Sequence, residues 1–432
     1  MVFRGTVKIY PVLVLITLLV FIQPAYAYID PGTGSMLFSV ILCSVTTVFF
    51  LFNSLILKIK CKLFSKNTLS ETTHKFVIYS EGKQYYCVFK PIADEFEARQ
   101  IPVVLYTSSQ DDPFFKENYK YVKVEFIGKG NTAYFKLAFL RADVCLLTTP
   151  QLDVLQLKRS RNVKHYSHIL HSIGFSMDYK LFALDYYDSV LCDAEFQIPL
   201  IREIEQKRSL PAKELEVVGS TYMDYYAKKL PELKIQPSGY TVLVAPSWGP
   251  FSLLNRYGRE ILDKLSATDY NVIVRPHPQS LIVDKELVDN LMNKYRDCKN
   301  ISWDFSSENI KTLAKADVMV SDFSCVMLDY AFLFNRPFVY VDTDINLEAL
   351  DSVDLDKQPP WRYGIMEQLG RKFVPDRDKM ENITEFINEV IRDENLKQKI
   401  KLAGDYAWEK RDFAAKNAVD FLVKIQQEVS EK

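Results

Sequence analysis

Five histidines occur in 432 residues, so the surroundings of each one are informative. One of them, His277, lies in the turn Arg275–Pro278, which reads Arg-Pro-His-Pro. The two prolines restrict the backbone of this turn. Arginine offers a planar group that suits phosphate oxygens, and histidine changes its protonation near neutral pH. The turn therefore predicts a phosphate site with a titratable group beside it. The alternative is a surface turn in which both side chains are only solvated.

Three further histidines lie close together at positions 165, 168 and 171. Their spacing differs from the i, i+4 pair of a zinc-binding helix, and no carboxylate lies between them. We therefore expect no metal site. His171 ends a predicted strand and is the candidate for chemistry, whereas His165 and His168 are predicted to be structural or to support the site.

A hydroxyl-rich turn, Ser321–Ser324, precedes a predicted helix at 325–334. Ser324 is predicted to cap that helix, and free backbone N–H groups at a helix start attract anions. Asp329 follows within the helix. The turn therefore predicts a phosphate site, and the alternative is an ordinary capped helix.

The elements that must position these residues are short apolar or β-branched runs that alternate with helical stretches. The predicted strands are 76–79, 103–106, 122–126, 144–148, 165–170 and 189–192 in the first half, and 241–245, 272–274, 318–320 and 338–341 in the second. The predicted helices are 94–100, 134–141, 255–266, 285–295, 309–313 and 325–334, with a further helical group at 380–432.

This alternation is typical of parallel sheets covered by helices on both faces. A turn-rich break at 230–239 divides a stretch of roughly 360 residues, which is more than one core usually supports. We predict an α/β protein with two Rossmann-like domains, an acceptor-side domain at 67–235 and a nucleotide-donor domain at 236–432. The two domains face a cleft, and the ligand would bind at the carboxyl ends of the strands.

Residues 1–66 are predicted to form a membrane anchor. Arg4 and Lys8 precede residues 9–27, which have an apolar core and an Ala-x-Ala end, and this arrangement is typical of a signal peptide. Residues 36–57 carry no charge, are long enough to cross a bilayer and are followed by four lysines. Because basic residues beside a span stay on the cytoplasmic side, we expect one or two transmembrane helices and a catalytic part at the cytoplasmic face of the cell membrane. The alternative is a signal peptide followed by an exported protein.

Composition excludes several classes of protein. Seven scattered cysteines without C-x-x-C spacing argue against a disulfide framework, and a net charge of -1 argues against a nucleic-acid partner. Neither a P-loop nor G-x-G-x-x-G occurs, which disfavours kinases, ATPases and dehydrogenases. The absence of G-x-S-x-G disfavours an α/β-hydrolase.

The segment that ends in His171, the turn Arg275–Pro278 and the turn Ser321–Ser324 occur in an order along the chain that resembles the CDP-glycerol glycerophosphotransferase family. This family includes teichoic acid glycerophosphate and ribitol-phosphate transferases and polymerases. The likeness covers residues 163–345 and is strongest over Ser321–Ala331 together with Arg336 and Pro337. It implies a glycosyltransferase-B fold, a CDP-alditol donor and action at the cytoplasmic face of a membrane.

The resemblance also implies roles for the residues at matching positions. His171 would be the general base, and His277 would be the second essential histidine. The positions that would bind the donor are Pro246, Ser247, Arg275, Ser324, Cys325 and Asp329. The family pattern differs at three places: Ser172 stands where the family has glycine, Cys325 replaces a hydroxyl, and the segment Gly219–Asp224 lacks the family's arginine.

We predict that the chain transfers glycerol phosphate or ribitol phosphate from CDP-glycerol or CDP-ribitol to a hydroxyl of a membrane-linked glycan or growing polymer. No cofactor or metal is expected. His171 would take the proton from the attacking hydroxyl at a pKa near neutrality. Two alternatives stay open: a sugar-nucleotide-dependent glycosyltransferase or epimerase of the same fold, and a non-catalytic membrane scaffold with a degenerate site.

Overall fold

A computed structural model describes residues 73–173, 179–235, 239–306, 308–343, 348, 350–356 and 361–431. The predicted anchor, with its segments 9–27 and 36–57, lies outside the described residues, as do 236–238 of the predicted linker. Within the described ranges, no helix is both long and apolar enough to cross a bilayer. Residues 69–432 belong to one structural unit, which contains both sheets.

The first sheet has seven parallel strands in the order β3-β2-β1-β4-β5-β6-β7. The strands are β1 (His74–Ser80), β2 (Val103–Thr107), β3 (Val122–Phe126), β4 (Arg141–Leu147), β5 (Asn162–Ile169), β6 (Ser189–Cys192) and β7 (Glu214–Val217). The central strands are buried on both faces, which explains their nearly continuous apolar and aromatic runs. The helices of this half are α1 (Tyr86–Ala98), α2 (Asn131–Leu137), α3 (Gln197–Lys207) and α4 (Thr221–Lys229).

The second sheet has six parallel strands in the order β10-β9-β8-β11-β12-β13. The strands are β8 (Thr241–Val244), β9 (Asn271–Val274), β10 (Ile301–Trp303), β11 (Val318–Ser321), β12 (Phe338–Val341) and β13 (Gly370–Phe373). The helices are α5 (Leu253–Ser266), α6 (Ser280–Val283), α7 (Lys285–Lys294), α8 (Ile310–Lys315), α9 (Val326–Phe334), α10 (Trp361–Leu369), α11 (Pro375–Asp378), α12 (Ile383–Arg392), α13 (Glu394–Ala407) and α14 (Ala414–Glu431).

Both sheets have the same reversal of strand order. In the first sheet the chain moves outward from β1 to β3 and then returns to place β4 beside β1. In the second sheet β11 returns to lie beside β8 in the same way. Loops at the carboxyl ends of strands on either side of such a reversal form a crevice, and this is where open α/β sheets bind nucleotides. The topology therefore points to the loops that follow β1 and β4, and to those that follow β8 and β11.

The last helix, α14, crosses back and packs on the first sheet, against α1 and β4. The connection is held by Asp224, whose carboxylate accepts hydrogen bonds from the indole of Trp408 at 3.0 Å and from the backbone of Ala414 at 3.2 Å. Gly219 has φ +92°, and a Cβ there would lie 2.8 Å from the carbonyl oxygen of Glu409. The segment Gly219–Asp224, where the family's arginine is missing, therefore serves to dock the C-terminal crossover.

One hydrophobic cluster extends through both halves. It includes Phe89 and Phe96 from α1, Leu243 from β8, Tyr330 from α9 and Phe421 from α14. Two further clusters cover the outer face of each sheet. Because burial of apolar side chains is the main favourable contribution to folding, this shared core fixes the two sheets relative to each other.

Candidate active site

Arg275 directly follows β9, at the carboxyl edge of the second sheet. One terminal nitrogen of its guanidinium donates to the carboxylate of Asp304 and to Oγ of Ser306 at 3.1 Å, and the other donates to the Ser306 carbonyl at 2.7 Å. Burial would raise the pKa of Asp304, but hydrogen bonds from Ser306 and Thr312 and the charge of Arg275 lower it to about 2. An ionised carboxylate therefore holds Arg275 in one orientation at pH 7.

His277 lies two residues further along this turn. Its Nδ1 accepts a hydrogen bond from the backbone N–H of Gln279 at 3.1 Å, and its ring centroid is 6.3 Å from that of Trp248. Burial lowers the pKa of His277, which keeps the ring neutral at pH 7. A neutral imidazole that accepts at Nδ1 carries its proton on Nε2. His277 is therefore prepared to donate a hydrogen bond from Nε2, as contact with a phosphate oxygen requires.

Asp322 connects the loops that follow β8 and β11, the two strands at the reversal of the second sheet. Its carboxylate accepts from the backbone and the hydroxyl of Ser247, each at 2.9 Å, and from the backbone of Leu253 at 2.7 Å. In its own loop it accepts from the N–H groups of Phe323 at 2.6 Å and Ser324 at 3.1 Å. Burial raises the pKa of Asp322 and these bonds oppose the rise. The carboxylate thus fixes the conformation of both loops. The hydroxyl of Ser247 donates its hydrogen bond to Asp322 and so has no proton left to donate to a ligand.

The predicted donor-binding positions in these two loops differ in exposure. Pro246 is buried beside Ser247, whereas Ser324 and Cys325 are partly exposed. The expected cap by Ser324 is not formed, because α9 begins at Val326 with Cys325 in the N-cap position and without a side-chain cap bond. The backbone N–H of Ser324 is bound by the buried carboxylate of the same turn, which takes over the stabilising role of a cap.

His171 lies after β5 in the first half, next to the loop that follows β4. Its Nδ1 is 2.9 Å from Oγ1 of Thr148 and 3.2 Å from the hydroxyl of Tyr179, and its ring packs edge-on against Tyr85 at 5.1 Å. Burial lowers the pKa of His171 to about 4, and a hydrogen bond to the backbone of Thr148 opposes this. Both polar contacts of the ring are made at Nδ1, which leaves Nε2 as the nitrogen available to a ligand.

The expectation that His171 has a pKa near neutrality is therefore corrected. The ring is packed among Thr148, Tyr85 and Tyr179, and burial disfavours the charged imidazolium. The free protein thus holds His171 neutral at pH 7. A negatively charged ligand beside the ring would raise its pKa again, because an opposite charge favours the protonated form.

Tyr179 contacts both inner histidines. Its hydroxyl is 3.4 Å from Nε2 of His168, in addition to its contact with His171. His168 is fully buried, and burial followed by the charge of His171 lowers its pKa well below the usual value. His168 therefore supports the tyrosine from the core.

Asp329 was expected to contact the donor, but its side chain is turned toward the first half of the chain. One carboxylate oxygen accepts a hydrogen bond from the hydroxyl of Tyr222 in α4, and the other has no hydrogen-bond partner among the described residues. Burial raises the pKa of Asp329 to about 7, and the bond from Tyr222 opposes the rise. Asp329 thus lies in the contact between the halves as a carboxyl that is only partly ionised at neutral pH.

A cavity of about 430 Å³ separates the carboxyl edges of the two sheets. Pockets of roughly 300–1,000 Å³ are typical of small-molecule sites. Its walls include Gln84, Tyr86 and Tyr226 from the first half and Arg275, Pro278 and Phe305 from the second. His277 lies between two lining prolines, and His171 contacts Tyr85, the neighbour of two lining residues. The cavity is therefore bordered by the turn that carries His277, whereas no described residue of the His171 loop is among its lining residues.

Three important residues of this region were missed by sequence reasoning. Asp304 follows a three-residue strand that no apolar run marks, Asp322 was interpreted only as part of a turn, and Tyr179 lies beyond the loop that carries His171. Only Asp322 had a detectable signal, as an acidic residue at a strand end. Across the described ranges, no three histidine, cysteine or acidic side chains group closely enough to hold a metal ion.

A family model described as CDP-glycerol:poly(glycerophosphate) glycerophosphotransferase matches residues 224–360. The predicted family resemblance is confirmed. The matched range contains Arg275, His277, Asp322 and Asp329, and the same match supports an enzyme like the CDP-glycerol glycerophosphotransferases. His171 lies outside the range. No curated protein matches this sequence.

Solved structures with this fold include the wall teichoic acid polymerase TagF, which is 14% identical, with a TM-score of 0.55 over 90% of this chain and 98% of that chain. Two UDP-GlcNAc 2-epimerases also match over 82% of this chain and 100% of theirs, each with a TM-score of 0.52. They come from Methanocaldococcus jannaschii, at 14% identity, and from Neisseria meningitidis, at 11%. At these identities the likeness concerns the fold alone, and it confirms an α/β architecture of the glycosyltransferase-B type.

Proposed function

We propose that this chain transfers glycerol phosphate or ribitol phosphate from a CDP-alditol to a hydroxyl group. The observation that carries the proposal is that the turn Arg275–Pro278 borders a cavity between the two sheets, while His171 packs against Tyr85, a sequence neighbour of the lining residues Gln84 and Tyr86. The family match over 224–360 supports a CDP-linked donor.

In the proposed reaction the acceptor oxygen attacks the phosphorus that bears the alditol. A new P–O bond forms, the pyrophosphate P–O bond breaks, and CMP leaves with the electron pair. Nε2 of His171 takes the acceptor proton, since Nδ1 is engaged by Thr148 and Tyr179. His277 donates from Nε2 to a phosphate oxygen, and Arg275 adds positive charge. Phosphoryl transfer depends mainly on such positioning and electrostatic stabilisation.

We further propose that the acceptor is a membrane-linked glycan or growing polymer and that the reaction takes place at the cytoplasmic face of the cell membrane. The support comes from the apolar segment 36–57 and the lysines that follow it. A soluble nucleotide donor would then meet its acceptor beside the anchor.

The donor is tested with the full chain purified in detergent. It is incubated with CDP-glycerol, CDP-ribitol and UDP-sugars, and release of CMP or UDP is followed. The proposal requires CMP release from at least one CDP-alditol. Release of UDP alone, or a free epimer, would instead support the glycosyltransferase or epimerase alternative, which the likeness to UDP-GlcNAc 2-epimerases makes worth testing.

The site is tested with His171→Gln and His277→Gln, each of which should lower kcat at least a hundredfold, the usual contribution of a general base or a charge-stabilising donor. His74→Gln is the matched control, because His74 begins β1 at the opposite edge of the first sheet. Unchanged glycan assembly in cells that carry both site variants would support a non-catalytic scaffold instead.

A further inference from the structure

A short segment that follows β12, residues 350–356, leaves the second half and lies on the first; we call it the strap. Leu350 forms an antiparallel bridge with Lys180. Leu355 is buried in the hydrophobic cluster on the outer face of the first sheet. The backbone N–H of Asp356 donates to Glu203 at 2.6 Å. The strap is thus attached to the first half along its length.

Asp351 fixes the chain that carries Tyr179. Its two carboxylate oxygens accept from the backbone N–H groups of Phe182 at 2.7 Å and Ala183 at 3.1 Å. Its own N–H donates to the carbonyl of Tyr179 at 2.8 Å. These three bonds set the path of residues 179–183, because each pairs a backbone group with a buried residue of the other half.

Arg208 locks Asp351 in this position. Its guanidinium pairs with Asp351 and Asp185, each at 2.8 Å, and with Asp354 at 2.6 Å. The side chain of Asp351 is 3% exposed and that of Arg208 is 10% exposed. Buried charge pairs of this kind resist separation, since removal of one partner leaves an uncompensated charge.

The path from the strap to the candidate base runs through one residue. The carbonyl of Tyr179 is held by Asp351, and its hydroxyl is 3.2 Å from Nδ1 of His171. Tyr179 is itself buried, so its ring has little freedom to move independently of its backbone.

We propose that the strap is a positioning device: Asp351 holds Tyr179, Tyr179 holds His171, and the second half thereby sets the orientation of a base that belongs to the first. Asp351 and Tyr179 are positioning residues, since they act through His171. The catalytic meaning of this arrangement rests on the proposed function, whereas the mechanical coupling does not.

The coupling is tested in the full chain by the reaction of diethyl pyrocarbonate with histidine, read residue by residue with mass spectrometry. Asp351→Asn keeps the size of the side chain but places an NH₂ group where a carboxylate oxygen accepted from the backbone. We expect His171 to react roughly tenfold faster, as the loss of a charge-assisted hydrogen bond in a local opening equilibrium predicts. The rate at His277 should not change, which makes it the internal standard.

Asp354→Asn is the matched control. Asp354 also pairs with Arg208, but it is more exposed, and within the described part of the chain it makes no hydrogen bond or ion pair with residues 179–183. Its substitution should leave the rate at His171 unchanged. An unchanged rate at His171 in Asp351→Asn would overturn the proposal, and so would equal acceleration at both histidines, which indicates general loosening.

A cross-link provides a rescue. Lys180 and Leu350 are paired, and Cα separations across such a bridge, roughly 4.5–5.5 Å, fall within the range of disulfides. Lys180→Cys together with Leu350→Cys, oxidised in the Asp351→Asn background, should restore the slow rate at His171, and reduction should abolish the rescue. Failure of the confirmed cross-link to slow the reaction would also overturn the proposal.

Turnover separates this proposal from the proposed function. If CDP-alditols are substrates, Asp351→Asn should lower kcat roughly tenfold and leave the KM for the donor unchanged. The substitution acts on His171 in the first half, whereas the proposed donor contacts lie in the loops of the second sheet. If none of the CDP-alditols is turned over, the proposed function fails, and the modification rates still decide whether the strap positions His171.

Discussion

Substitution of Asp329 by asparagine should stabilise the protein at alkaline pH. Asp329 is 6% exposed, and among the described residues only one of its carboxylate oxygens accepts a hydrogen bond, from Tyr222. Burial raises its pKa from 3.8 to about 7. Asparagine has nearly the same shape and can still accept from Tyr222, but it cannot ionise.

The magnitude follows from linkage between protonation and folding. A carboxyl with a raised folded pKa ionises more readily in the unfolded chain, so stability is lost as pH rises from about 4 to about 7. Each pH unit in that interval costs about 1.4 kcal/mol, which amounts to roughly 4 kcal/mol in all and roughly 3 kcal/mol between pH 5 and pH 8. The asparagine variant does not pay this cost.

The assay is thermal unfolding of the detergent-purified full chain, followed by intrinsic fluorescence at pH 5 and pH 8. The Tm of Asp329→Asn relative to the native chain should rise by about 5 °C between these two pH values. Asp269→Asn, at an exposed turn before β9, controls for the loss of a charge. If the native chain and Asp329→Asn lose Tm in parallel from pH 5 to pH 8, Asp329 is not a strained buried carboxyl, and the reasoning is refuted.

Two further substitutions test the C-terminal connection and the Arg275 ion pair. Gly219→Ala should destabilise the chain by roughly 2–3 kcal/mol, because its φ is positive and a Cβ would meet the carbonyl of Glu409. Gly249→Ala is the control and should cost only about 1 kcal/mol, because Gly249 also has a positive φ but a Cβ there would meet no atom of the described residues. Equal losses of unfolding free energy in urea for the two variants would show that the contact with Glu409 is unimportant. Asp304→Asn should cost about 2 kcal/mol at pH 7. Because the folded pKa of about 2 lies below the unfolded value of 3.8, this difference should shrink as the pH falls from about 4 to about 2. A difference in unfolding free energy that is independent of pH would mean that Asp304 is not held ionised by Arg275.

Strands with continuous apolar runs were predictable, whereas polar or very short ones were not. The ten predicted strands all occur in the sheets, but β7, β10 and β13 were missed. β13 reads Gly-Arg-Lys-Phe, and it pairs with β12 because Gly370 allows close approach; a Cβ there would lie 2.2 Å from the carbonyl of Phe338. Such a requirement depends on the partner strand and is not visible in the local sequence.

Local sequence rules also failed to predict the bounds of one helix and the packing partner of another. The helix predicted at 94–100 belongs to α1, which runs from Tyr86 to Ala98 and contains Pro91, although a proline inside a helix normally breaks it. The destination of α14 was equally hidden. Its apolar face predicts a packed helix, but nothing in its composition tells which of the two sheets it covers.

For the site, the loops could be predicted and their internal contacts could not. Arg275 and His277 were found because ligand loops follow parallel strands. By contrast, Asp351 lies 172 residues beyond Tyr179, so no local pattern connects them. The same holds for Asp329, whose expected contact with a donor is replaced by a contact with a tyrosine from the other half.

The C-terminal crossover has a consequence for how the chain folds during synthesis. β7 ends at Val217 and α14 begins at Ala414, so at 5–20 residues per second roughly 10–40 s separate their emergence from the ribosome. During this interval the face of the first sheet that later receives Phe421 and Leu422 has no cover. The apolar surface on which α14 packs therefore stays exposed until the last helix has been synthesised. Truncation before residue 414 would leave this surface permanently exposed, and the truncated chain should aggregate.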